Sequence, residues 1–139
     1  KRPWLIRTMR SDPAYRVSEN IYRGDSIELP TALLINQYSF SNAEIIAEGF
    51  RRLKIGPLIG EPTAGGVIGT SQLGLWDGGS IRIPAAGAYT IDGENLEGNG
   101  RVPDYLVKFD VDAWLAGRDV QLEKAVQELL KSLPPPKKP

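Results

Sequence analysis

The sequence predicts an α/β fold built on a pair of parallel strands, and three observations predict it. Ala32-Leu33-Leu34-Ile35-Asn36 is a short apolar run just after a proline, the pattern of a buried strand. Residues 41–54 place Ala43, Ile46, Ala47, Phe50 and Leu53 at helical spacing, the stripe of an amphipathic helix. Leu58-Ile59 then opens a second short strand. A strand, a helix and a strand in succession form a crossover unit, which pairs its strands in parallel.

The elements follow in chain order. Residues 1–30 read as an irregular arm, broken by Pro3, Pro13, Gly24 and Pro30. The arm is mildly basic, with Lys1, Arg2, Arg7, Arg10, Arg16 and Arg23 against Asp12 and Glu19, and reads as an exposed segment rather than a binding patch. The helix over 41–54 carries Arg51, Arg52 and Lys54 in its last turn, where the helix dipole favours cations, and Gly56-Pro57 ends it. Strand-like stretches follow at 67–75, 80–84 and 87–91, separated by Asp77-Gly78-Gly79 and Pro84-Ala85-Ala86. They form a β extension on the core, and Asp92-Gly93 marks a tight loop after them. Residues 105–109 make one more strand. A C-terminal helix spans about 119–132, with Leu122, Ala125, Val126, Leu129 and Leu130 as its apolar stripe. Pro134-Pro135-Pro136 stops it, and the Lys/Pro tail at 134–139 is expected to be disordered.

Composition narrows the function classes. Seventeen basic and seventeen acidic residues cancel, which argues against a general nucleic-acid binder. No apolar run approaches the roughly 20 residues of a membrane span. With neither cysteine nor histidine, a zinc site is not expected, and no cofactor motif is present. The chain starts at Lys1 and has one methionine, Met9, so it reads as a piece of a longer protein.

Ser41 stands where the first strand runs into the helix, which puts a possible nucleophile at a strand-to-helix junction. Ser41-Asn42-Ala43-Glu44 also fits a capping box, in which the serine merely caps the helix. Ser39 is a rival cap; if it takes that part, the Ser41 hydroxyl is free beside backbone N–H donors suited to an oxyanion. The local pattern leaves both readings open. Because the chain lacks histidine, a catalytic Ser41 would need a base from outside it.

The glycine-rich loop Gly60-Glu61-Pro62-Thr63-Ala64-Gly65-Gly66 has the glycine spacing of a phosphate loop. Gly66-Val67 occupy the positions of its lysine and Ser/Thr, which excludes a P-loop. The loop is either a tight β connection or a place where Gly65 and Gly66 let a peptide backbone or a catalytic element come close.

Taken together, Ile35-Asn36-Gln37-Tyr38-Ser39-Phe40-Ser41-Asn42-Ala43-Glu44-Ile45 and the glycine-rich loop resemble the core of the C-terminal processing peptidases and their tricorn relatives. The similarity continues through Asp77-Gly78-Gly79, Glu97-Gly98-Asn99-Gly100-Arg101-Val102-Pro103-Asp104 and Gly117-Arg118-Asp119-Val120-Gln121-Leu122-Glu123. It therefore covers about residues 31–132. The resemblance implies a Clp/crotonase-like α/β core, with 31–133 as the C-terminal part of a serine peptidase catalytic domain. Processing peptidases use a Ser–Lys dyad whose lysine would fall at Gly66, so the chain is more similar to the tricorn branch. That branch takes its histidine base from an upstream subdomain.

Carried over, the resemblance implies Ser41 as nucleophile and Glu97 as the carboxylate that orients the base. The Asn42 N–H would be an oxyanion donor, with Gly65 and Gly66 beside the substrate. The tricorn pattern has aspartate where this chain has Asn42. The partners implied are a peptide or unfolded polypeptide substrate, the remaining peptidase subdomains of the parent, and further copies in a homo-oligomer. Two other classes share such a fold: a non-catalytic peptide- or ligand-binding module, and a crotonase-like acyl-CoA enzyme that needs no serine nucleophile.

Overall fold

The computed structural model describes residues 2–9, 12–19 and 29–133. Its parallel unit forms as the sequence predicts. Strand β3 (Leu33–Ile35) leads into helix α1 (Asn42–Arg52), which returns to strand β4 (Leu58–Gly60). β3 and β4 pair in parallel, with Leu33 opposite Leu58 and Ile35 opposite Gly60. Strand β7 (Tyr105–Leu106) adds to the far side of β4, giving the order β3-β4-β7.

Within the expected arm, 3–9 and 12–19 are not irregular. Strands β1 (Pro3–Met9) and β2 (Asp12–Glu19) form an antiparallel hairpin, and β1 also pairs with β6. β6 (Ser80–Thr90) pairs in turn with β5 (Gly69–Gly74), so the second sheet runs β2-β1-β6-β5. Pro3 and Pro13 are tolerated because Pro3 opens its strand and β2 lies at the sheet edge. Leu5, buried completely, ties the hairpin to the core. The remainder of the arm, 20–28, and the tail at 134–139 lie outside the described residues.

β6 is one strand of 11 residues rather than two pieces broken at Pro84-Ala85-Ala86. Pro84 faces Thr70 of β5 beside a register shift, and β1 joins the other edge of β6 only from Ala86 onward. The missing N–H of Pro84 therefore falls where the ladder is interrupted. Residues 105–109 contribute only two strand residues, and Asp110 then caps a short helix, α2 (Val111–Leu115). The C-terminal helix α3 (Val120–Ser132) forms as predicted, with Asp119 accepting from the N–H groups of Gln121 and Leu122.

Helix α1 serves both sheets. Ala47 and Phe50 pack with Ile35 and Leu58 of the parallel sheet. Ile45 packs with Leu5, Val67, Ala88 and Leu96 beside the antiparallel sheet. Removing a side chain such as Phe50 from water contributes roughly 2–3 kcal/mol. Gly49 is needed on α1 because a Cβ there would meet the Trp4 ring of β1 at 2.8 Å. The buried face matches the predicted stripe at Ala47 and Phe50 but not along its whole length. Ile46 is 56% exposed, whereas Glu44 and Glu48 are buried, because those carboxyl groups find hydrogen-bond donors inside. On α3 only Ala125 of the predicted stripe is buried; the helix packs on β3 and β4 along one narrow ridge, and Leu122, Val126 and Leu130 stay exposed. Among the described residues, no helix is long and apolar enough to cross a membrane.

Candidate active site

The backbone of Ser41 turns sharply, with φ 57° and ψ −113°, at the junction of the β3 loop and α1. Few non-glycine residues adopt positive φ, and holding one there stores of order 1–3 kcal/mol. Two acceptors fix the Ser41 N–H: the Gly66 carbonyl at 3.1 Å and Glu44 Oε2 at 3.0 Å. The first-turn N–H groups of α1 are met by backbone oxygens, Ala43 giving to Phe40 and Glu44 to Ser41. Ser41 is thus the N-cap and forms a capping box with Glu44; the Glu44 N–H lies toward the Ser41 side chain, and its hydrogen bond of 3.0 Å goes to the Ser41 carbonyl. Ser39 does not compete for the cap, because its hydroxyl accepts from the Asn36 N–H within the loop. The Asn42 N–H has no acceptor among the described residues.

Glu44 organises the loop opposite. Its carboxyl group is fully buried and accepts from the Thr63 hydroxyl at 2.6 Å and from the N–H groups of Gly65 and Gly66 at 2.6 and 2.8 Å. The N–H groups of Gly65 and Gly66 are therefore directed into the protein at Glu44, while the Gly66 carbonyl holds Ser41. Gly65 has φ 81°, which a side chain would strain. At Gly66 a Cβ would run into the ring of the exposed Phe40, which would have to move to admit the lysine of a Ser–Lys dyad.

Ser41 and Asn42 border a cavity of about 140 Å³. Its apolar walls include Ile45 from α1, Val67 after the glycine-rich loop and Ala88 from β6, and Arg7 of β1 completes it. Glu97 does not line this cavity but stands one layer behind it. Its Oε2 accepts from the N–H groups of Val67 and Ile68 at 2.6 and 2.8 Å, and its Oε1 has no hydrogen-bond partner among the described residues. The loop bearing Glu97 is anchored to α1 through Arg101, which is buried and contacts Glu48 at 3.2 Å and Glu94 at 2.7 Å. The hydrogen bond from Arg101 holds the Glu94 carboxyl below its ordinary pKa.

Of the residues read from the sequence, Ser41, Asn42, Gly65 and Gly66 come together directly, and Glu97 joins them through Val67. Sequence reasoning missed Arg7, which it placed in the arm, and the deeper part played by Glu44, visible only as a capping-box glutamate. No group of three or more acidic residues among the described residues is arranged to hold a metal ion.

Comparison with known proteins now bears on this geometry. The pattern that defines Peptidase family S41 matches residues 3–107. The chain belongs to peptidase family S41. The match includes the β1–β2 hairpin, so that hairpin is part of the family fold. A tricorn protease of Thermoplasma volcanium is 33% identical over 114 residues, covering 81% of this chain and 11% of the relative. The carboxy-terminal processing protease CtpA of Bacillus subtilis is 33% identical over 115 residues, covering 75% of this chain and 24% of the relative. A crystal structure of the tricorn protease aligns with a TM-score of 0.61 at 25% identity, over 73% of this chain and 10% of that one. The chain thus spans about a tenth of the length of the tricorn relatives it matches.

Two expected outcomes test this reading of the scaffold. Glu44→Gln turns an amide N–H₂ toward hydrogen-bond donors, and denaturant unfolding should report a loss of about 3 kcal/mol. Ser41→Gly should raise stability by about 1 kcal/mol relative to Ser41→Ala, because glycine relieves the positive φ. Strain relief should also leave Ser41→Gly at least as stable as the serine protein, whereas a lost cap would leave Ser41→Gly a few tenths of a kcal/mol less stable and Ser41→Ala about 1 kcal/mol less stable than serine.

Proposed function

We propose that this chain supplies the nucleophile and oxyanion side of a serine peptidase of the tricorn type, whose histidine base comes from another part of the parent protein. The observation that carries the reading is Ser41 itself, held at positive φ on the turn that starts α1 and at the edge of a cavity. A sharp strand-to-helix turn is a known device for lifting a serine oxygen out of a helix start and toward a substrate. An ordinary cap residue has extended dihedral angles, and Ser41 does not.

In this reading the Ser41 Oγ attacks the peptide carbonyl carbon, and its proton passes to the external base. The carbonyl oxygen becomes an oxyanion, for which the free Asn42 N–H at the positive end of α1 is a suitable donor. Collapse expels the amine and leaves an acyl-enzyme on Ser41, which water then hydrolyses. Glu97 is the positioning residue. One of its oxygens is committed to Val67 and Ile68, and the other is available to orient the base. Gly65 and Gly66 support the site rather than bind the oxyanion, since Glu44 takes their N–H groups.

The absence of histidine from the sequence and the crowding at Gly66 both favour a base supplied from outside these 139 residues. Residues 1–139 alone should therefore give no Ser41-dependent peptide hydrolysis. In the full-length protein, Ser41→Ala should lower kcat by at least about a thousandfold while peptide binding persists. A fluorophosphonate should label Ser41 in the parent and not in that variant. Binding that survives with no Ser41-dependent turnover in the wild-type parent would favour a binding module instead.

A further inference from the structure

Among the described residues, nothing pairs with the charge of Arg7. It stands on β1 directly opposite Arg16 of β2 on one side and Ala88 of β6 on the other. Like charges directly opposite one another in an antiparallel pair disfavour the hairpin. Neither arginine has a hydrogen bond or ion pair among the described residues. Two residues along β1, on the same strand face, Leu5 is buried in the core, while Arg7 is itself exposed and borders the Ser41 cavity. Ile45, Val67 and Ala88 give that cavity apolar walls, Ser41 and Asn42 its polar edge, and no carboxylate lines it among the described residues.

We infer that Arg7 makes this cavity a subsite for an acidic side chain, glutamate above all, on the residue whose carbonyl Ser41 attacks. The inference rests on the peptidase reading and adds a substrate class to it. A side chain suited to this cavity needs an apolar stem for the Ile45, Val67 and Ala88 walls and an anionic end for the guanidinium. About 140 Å³ holds one side chain of middle size. Glutamate meets both demands. Its carboxylate would also offset the repulsion between Arg7 and Arg16, which no residue of the described chain relieves. Arg16 lies outside the cavity and reinforces the field without contacting the side chain.

The test uses the full-length protein and fluorogenic peptides identical except for glutamate, glutamine or leucine at that one residue. The kcat/KM ratio of the glutamate to the glutamine peptide should be about tenfold and should fall as salt is added. Arg7→Gln should bring the ratio to about one, and Arg7→Lys should keep most of it. A ratio of two rates does not depend on how much of a variant folds, and the wild-type ratio with its salt dependence needs no variant. A wild-type ratio near one, or a ratio unchanged in Arg7→Gln, overturns the inference. If the glutamine and leucine peptides are still cut in a Ser41-dependent way, the peptidase reading survives that failure. If no peptide is cut and fluorophosphonate leaves Ser41 unlabelled, both readings fall together.

Discussion

Glu44 is fully buried in the first turn of α1, meets no cation, and accepts four hydrogen bonds, from the Ser41, Gly65 and Gly66 N–H groups and the Thr63 hydroxyl. A buried carboxyl group left without partners costs several kcal/mol, so the donors must be in place for the helix to sit where it does. The positive end of α1 adds a favourable field at the same point. Those donors come from the Ser41 peptide and from a loop about twenty residues further along the chain. One side chain therefore fixes the separation between the start of α1 and the glycine-rich loop, and everything near Ser41 is measured from it.

This arrangement shapes the helix start at Ser41. In an ordinary capping box the serine oxygen satisfies the helix and the glutamate reaches back. Here both halves of the box are present, yet the glutamate also holds the loop opposite, and the peptide oxygens of Phe40 and Ser41 accept from the Ala43 and Glu44 N–H groups. The Ser41 hydroxyl oxygen is therefore not the sole acceptor for the Glu44 N–H. The strain of the positive φ at Ser41 is sustained because its N–H is bound on two sides, by Glu44 and by the Gly66 carbonyl.

The parallel unit was legible because each piece declares itself locally: an apolar run at 32–36, an amphipathic pattern with basic residues at its end, then Leu58-Ile59. The hairpin over 3–19 was not, since its prolines sit where a strand start and an edge strand tolerate them, which only the sheet order reveals. Pro84 misled for a related reason, its missing donor being harmless beside an interrupted ladder. Ser41 could be singled out by its junction, but the positive φ at which it starts the helix depends on the Glu44 and Gly66 contacts and is not legible locally. Arg7 was invisible as a pocket residue because a long-range strand pairing, Arg7 with Ala88, brings it to the cavity.

Two carboxyl groups one helical turn apart on α1 then index the whole site to a single rigid element. Glu44 points to the glycine-rich loop and sets Ser41. Glu48 points to Arg101, whose guanidinium also binds the Asn99 carbonyl and so holds the loop that carries Glu97. Residues four apart lie on the same helix face, which places the two anchors side by side. Burying acids at these positions displaces apolar residues from that face, and this is why Ile46 is left exposed despite its place in the stripe. The poor hydrophobic economy of α1 is thus the geometric condition for holding a proposed nucleophile and its proposed supporting acid in fixed register, with the backbone of Val67 as the bridge between them.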